Sequence, residues 1–123
     1  MKIFNRKDAQ LENRPAGKRW YFDFPEYELH LNEIKAGAST DWHHHEIICE
    51  TVFVVSGEFT VRWRENGREL RQIIIEGDVV EVGNSPQSFF NHTDKTAIFL
   101  DIKQLLSGQN KQNIFKSDKV KDE

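Results

Sequence analysis

Residues 60–71, TVRWRENGRELR, read as a β-hairpin. Asn66 and Gly67 are the residue types that most readily take the positive φ of a type I′ turn, and the segments they join have the composition of strands. Trp63, between Arg62 and Arg64, falls on the face opposite those two charges, the pattern of a half-buried strand. Outward from this hairpin the chain keeps the same texture, with short runs rich in β-branched and aromatic residues separated by turn signals roughly every ten residues. The expected strands cover residues 19–24, 28–35, 39–45, 50–56, 58–65, 68–75, 78–82, 88–92 and 97–103. Gly37, Gly57, Gly77 and Gly83 punctuate strand ends. Helix is nearly absent from this reading, so the fold class is all-β, an antiparallel sandwich or barrel.

The chain has 123 residues, which makes one ordinary domain. Hydrophobic residues are 37% of it and charged residues 30%, so the core is modest and part of the chain is expected to lie outside it. Residues 1–19 carry six Lys or Arg with weak periodicity and read as an N-terminal arm. The β-barrel is expected over 20–106, followed by a polar tail over 107–123 that frays from about Ser117. With 17 Lys and Arg against 20 Asp and Glu, the net charge of −3 leaves no basic surplus for phosphates, which argues against a nucleic-acid partner. The longest apolar runs, 52–55 and 73–75, are strand-sized, so no membrane helix is expected. Cys49 is a single cysteine and residues 1–11 are polar, which together suggest a cytoplasmic protein.

The ionisable side chains that bind metals crowd into Asp41-Trp42-His43-His44-His45-Glu46, with Glu50 close behind. Side chains alternate along a strand, so His43 and His45 share a face while His44 points the other way. A turn over residues 46–49 returns the chain antiparallel and can bring Glu50 to the same interior. The result is a two-His, one-carboxylate set suited to Fe(II) and its neighbours. Cys49, with the opposite parity to Glu50, reads as a packing residue on the other face.

These residues also carry a resemblance. Gly37, His43, His45, Glu50 and Gly57 stand at the spacings of the first motif of the cupins. Residues 77–82, GDVVEV, resemble the opening of the second cupin motif, and residues 86–91, PQSFFN, resemble its Pro-His-Ser-Phe-x-Asn ending after a turn one residue shorter than usual. The resemblance spans about residues 30–102 and implies a jelly-roll β-barrel of two antiparallel sheets with a divalent metal (Fe, Mn, Ni or Zn) facing the interior. It places Gln87 where the family's third His ligand stands and keeps Asn91 in its usual place. His30, His44 and His92 are left as structural or surface residues. Small cupins of this kind are often dimers, so a homodimer is expected, with the arm pairing against the other subunit.

The function this implies is a metal-binding cupin enzyme of oxygenase, isomerase or lyase type, acting on a small organic substrate inside the barrel. Two alternatives remain open: a non-catalytic cupin that binds or senses a small ligand, and a metal-free, sugar-epimerase-like cupin with a His base. Glu81, Asp101, Tyr21 and Tyr27 are the further acid or base candidates.

Overall fold

The computed structural model describes residues 1–105, 115 and 117–122. Eleven strands run in order: β1 (Gln10–Arg14), β2 (Gly17–Asp23), β3 (Tyr27–Ile34), β4 (His43–His45), β5 (Cys49–Ser56), β6 (Glu58–Glu65), β7 (Arg68–Ile75), β8 (Val79–Val82), β9 (Gln87–Phe90), β10 (Ala97–Gln104) and β11 (Lys119–Lys121). They form two antiparallel sheets of order β1-β2-β3-β10-β5-β8 and β11-β4-β9-β6-β7, the expected jelly-roll arrangement. Among the described residues, helical geometry is confined to a 3-10 turn at Arg6–Asp8 and to Phe115 and Ser117.

The β6–β7 hairpin closes as the sequence requires, with Glu65 opposite Arg68 and φ of 50° at Asn66 and 74° at Gly67. Other strands are shorter than expected. Of residues 39–45 only His43–His45 is continuous strand, and Ser39 makes one isolated bridge to Phe90. β9 ends at Phe90 because the Asn91 side chain turns inward and donates to the carbonyls of Ile34, Lys35 and Lys95.

The two ends of the chain correct the sequence reading. Residues 10–14 pair with β2, which pairs with β3, so the expected boundary after residue 19 falls inside β2 and the arm's strand is added to its own sheet. The alternation there is easy to miss, because the inward side chains of β1 are Gln10, Glu12 and Arg14 rather than apolar residues. Gly17 begins β2 so close to β3 that a Cβ would lie 1.9 Å from the Glu33 carbonyl oxygen, which only glycine permits. At the other end, fraying from Ser117 is overturned: Lys119, Val120 and Lys121 pair with His45, His44 and His43. Asp118 secures that strand by accepting backbone hydrogen bonds from Glu46, Ile47 and Ile48 at 2.7–3.1 Å. The expected barrel end at residue 106 and the tail segment 107–114 lie outside the described residues.

The core between the sheets consists of Ile34, Val52, Val54, Phe59, Val61, Ile74, Phe89, Ala97 and Phe99. Phe99 packs edge-on to Phe59 and stacks on Phe89, each at 5.2 Å between ring centroids. Along the same strands the inner face then turns polar. Ile34 gives way to Asn32 and His30, Phe99 to Asp101, and Val52 to Glu50, all buried. Buried polar groups are costly unless something satisfies them, and this end of the sandwich is where the cavity lies.

Candidate metal centre

A cavity of about 820 Å³ opens between the sheets, and His43, His45, Glu50 and Gln87 all line it. β4 contributes the two imidazoles from alternate positions, as strand geometry demands, and their ring centroids lie 5.3 Å apart. Glu50 arrives from the opposite sheet as the second residue of β5, held in register against Lys103 and Val82. Gln87 opens β9 directly opposite His43. One ligand atom from each of His43, His45 and Glu50 can be chosen so that all lie within 4.8 Å of one another. Among the described residues this is the single such group of His, Cys, Asp and Glu.

The donor atoms are poised for a cation. His43 Nδ1 lies 3.0 Å from the Asp41 carbonyl oxygen, which can only accept. Nδ1 therefore carries the proton and Nε2 presents its lone pair. His45 is 4% exposed and both its ring nitrogens are buried without a hydrogen-bond partner, as are Glu50 Oε2 and Gln87 Oε1. His45 Nε2 is 3.4 Å from Glu50 Oε2, and its Nδ1 is 3.7 Å from Asp118 Oδ2. The unpartnered His45 Nε2 and Glu50 Oε2, close to each other beside His43, fit a divalent ion that accepts nitrogen and oxygen donors. Gln87 Nε2 sits 3.4 Å from His43 Nε2, so a turn of the amide would bring its oxygen to the same place.

Charge is tuned accordingly. Burial alone would raise the Glu50 carboxyl, but His45, Lys103 and His43 outweigh it and hold the group down to about 2, so it is anionic. Burial lowers His43, which keeps its imidazole neutral and free to ligate at pH 7. Asp101 moves the other way: burial and the charge on Glu50 raise its carboxyl well above the ordinary range. Two carboxylates this close in a buried site do not both ionise readily, and Lys103, 3.8 Å from Glu50, favours ionisation of that one.

The remaining expectations sort by face. His44 points away from the cavity and bonds Asp122 at 2.6 Å, and His92 bonds Thr60 at 2.8 Å. Cys49 has the expected opposite parity but is exposed rather than packed. Glu81 and Tyr27 are also exposed, whereas Asp101 and Tyr21 line the cavity. Sequence reasoning missed His30, Asn32, Arg19 and Lys103, which line the same cavity, and Asp118, which braces the turn before Glu50. The signal for His30 and Asn32 was present, because they share the parity of Ile34 on a strand whose other face carries Leu29 and Leu31.

Comparison with known proteins agrees with this geometry. The sequence profile of the cupin domain matches residues 30–103. No curated protein is significantly similar to the chain in sequence. Among solved structures, the capsular polysaccharide assembling protein CapF from Staphylococcus aureus superposes with a TM-score of 0.75 at 17% identity, covering 91% of this chain and 33% of that one. Oxalate decarboxylase from Bacillus subtilis superposes with a TM-score of 0.75 at 17% identity, covering 96% and 31%. This chain therefore spans about a third of the length of those proteins, and the likeness is one of fold. No helix of the described residues is long and apolar enough to cross a membrane. With the profile match extending over more than half of its length, and with both sheets and the His-x-His and Glu positions in place, the chain belongs to the cupin domain family.

Proposed function

We propose that this chain is a metal-dependent enzyme acting on a small organic substrate held between its sheets. The supporting observation is the convergence of His43, His45 and Glu50, with ligand atoms within 4.8 Å, on a cavity whose nearby buried polar atoms lack partners. In this reading those three side chains hold a divalent ion and Gln87 adds a weaker oxygen donor. The bound ion supplies Lewis acidity toward a substrate oxygen or a place for dioxygen. The chain's own residues do the rest. The sheets exclude water, His43 is kept in the ligating tautomer by the Asp41 carbonyl, and Asp101 holds a proton at its carboxyl beside the anionic Glu50.

Elemental analysis of protein purified without chelators or a His tag tests this reading. About one equivalent of a first-row divalent metal is expected in the wild type, and its loss in His45→Ala and Glu50→Gln with circular dichroism unchanged. Stoichiometric metal in both variants would remove these residues as ligands. Turnover then separates an enzyme from a ligand-binding cupin, since a binding module retains metal and small molecules without product.

A homodimer is part of the same proposal. Its support is the outer face of the first sheet, where Leu11, Trp20, Leu31, Leu100, Phe53 and Val79 fall in one register row across all six strands.

A further inference from the structure

The cavity has a second polar wall that the proposed metal ligands leave unused. Arg19 on β2, His30 on β3 and Asp101 on β10 all line it from successive strands of the first sheet. His30 is in register with Tyr21 on one side and Asp101 on the other, and Arg19 lies one inward step along, opposite Asn32. His30 and Asp101 are 5% and 6% exposed, yet His30 Nδ1 and Asp101 Oδ1 have no hydrogen-bond partner. Such atoms are satisfied by a ligand or they cost stability.

Arg19 is the third member. Its Nε donates to Asn32 Oδ1 at 3.1 Å, and no carboxylate oxygen among the described residues comes within the 4.0 Å of an ion pair. The neighbouring acids are engaged elsewhere: Glu12 with Arg14, Glu28 with His30, Asp41 with Lys119 and Glu50 with Lys103. A half-buried guanidinium that lines a cavity and makes no direct ion pair among the described residues, although Glu12, Asp101 and Glu50 lie near enough to act on its charge, suits an anion, and its planar fork matches a carboxylate.

His30 narrows the choice. Its Nε2 lies 2.7 Å from Glu28 Oε1. An ionised carboxylate can only accept, so Nε2 carries the hydrogen and Nδ1 is left as a bare, buried acceptor on a ring that lines the cavity. The ligand group that meets Nδ1 must donate, which a carboxylate cannot do and a hydroxyl can.

The geometry points to a small hydroxycarboxylic acid as the substrate class, its carboxylate bound by Arg19, its hydroxyl donating to His30 Nδ1 and its far end reaching toward His43, His45 and Glu50. The orientation of that far end rests on the metal-centre reading above; the Arg19 and His30 contacts do not. Arg19 and Glu50 stand three inter-strand steps and four residues of register apart, about 20 Å between backbones, and the two long inward side chains span part of this distance, leaving room for a small acid between them.

Calorimetric titration of the full chain with malate, succinate and malamide, each with and without added Mn2+, tests the inference. Malate is expected to bind at least tenfold more tightly than succinate, which lacks the hydroxyl, and than malamide, which lacks the charge. Arg19→Gln should bring malate down to the level of malamide, and His30→Phe should erase the difference between malate and succinate while leaving the preference for charge. Arg19→Lys keeps the charge without the fork and should fall between, which gives a second reading if the glutamine variant does not fold. Equal binding of all three by the wild type, binding of none at millimolar concentration, or full preference retained in both Arg19 variants overturns the proposal. Metal content measured on the same samples keeps the two readings apart, because a protein that takes up no Mn2+ yet discriminates the acids refutes the metal centre and upholds the acid site.

Discussion

In the proposed metal centre, Gln87 is the residue whose replacement would most directly test how firmly an ion is held. Gln87 is 3% exposed, its amide faces His43, and it stands where a stronger imidazole donor would suit late first-row metals. Gln87→His is expected to tighten metal binding roughly tenfold, about 1.4 kcal/mol, read by competition with a chromogenic chelator; unchanged affinity would leave three protein ligands with the remaining positions completed by water. His30 governs a different property. Burial lowers its pKa from 6.5 to about 4 in the folded chain, although Glu28 pulls the other way. The unfolded chain therefore takes up a proton that the folded chain refuses as pH falls from about 6.5 to 4. Stability is lost over that window and restored as pH rises, by up to roughly 3 kcal/mol. Asp101, raised in the folded state, contributes with the opposite sign, so the informative quantity is the difference between wild type and His30→Gln in urea melts at each pH. A difference that does not change between pH 7 and pH 4.5 would show that the imidazole is not desolvated.

The geometry of β4 and β5 at the candidate metal site depends on an element far away in sequence. Asp118 accepts from the amides of Glu46, Ile47 and Ile48, fixing the turn that carries the chain from His45 to Glu50, and β11 then covers the outer edge of β4. Burial alone would raise the Asp118 carboxyl, but these backbone donors hold it below the usual range. Asp118→Ala leaves three amides without their acceptor and is expected to cost about 3 kcal/mol in urea melts and to weaken metal binding, while Asp118→Asn, which keeps one oxygen, costs less. An alanine variant as stable as the wild type would show that water replaces the carboxylate without penalty. The same contact explains what could be read from the sequence and what could not. Hairpin 60–71 and the pair His43 and His45 were legible because turn chemistry and strand alternation act over a few residues. Asp118 was illegible because its partners lie about 70 residues away and its own surroundings, Ser117 and Lys119, look like a solvated tail. The β1 strand was missed for a related reason, since its inward side chains point into a polar cavity and remove the apolar alternation by which strands are recognised.

At the scale of the whole molecule the first sheet is unusual in its two faces. Part of its inner face carries Glu50, His30, Asn32 and Asp101, while its outer face carries the row Leu11, Trp20, Leu31, Leu100, Phe53 and Val79, flanked by Phe22, Leu29 and Ile102. Leu11 is 52%, Phe53 40% and Val79 62% exposed. Six strands at about 4.8 Å make the row roughly 24 Å wide, and two rows about 7 Å apart give a footprint of about 340 Å². A stable interface takes about 800 Å² from each partner, and the aromatic group of Phe4, Phe24 and Tyr27 beside Phe22 extends the surface toward that size. An apolar face can meet its own copy across a two-fold axis, which is why a second copy of the chain suits it. Light scattering at micromolar concentration should therefore report a dimer for the wild type and a monomer for Phe53→Lys, whose side chain is exposed and whose replacement leaves the core intact. A Phe53→Lys dimer would instead direct attention to the open edge of β1, where strand addition needs no outer face. A monomeric wild type would mean that this surface stays in water or meets some other partner.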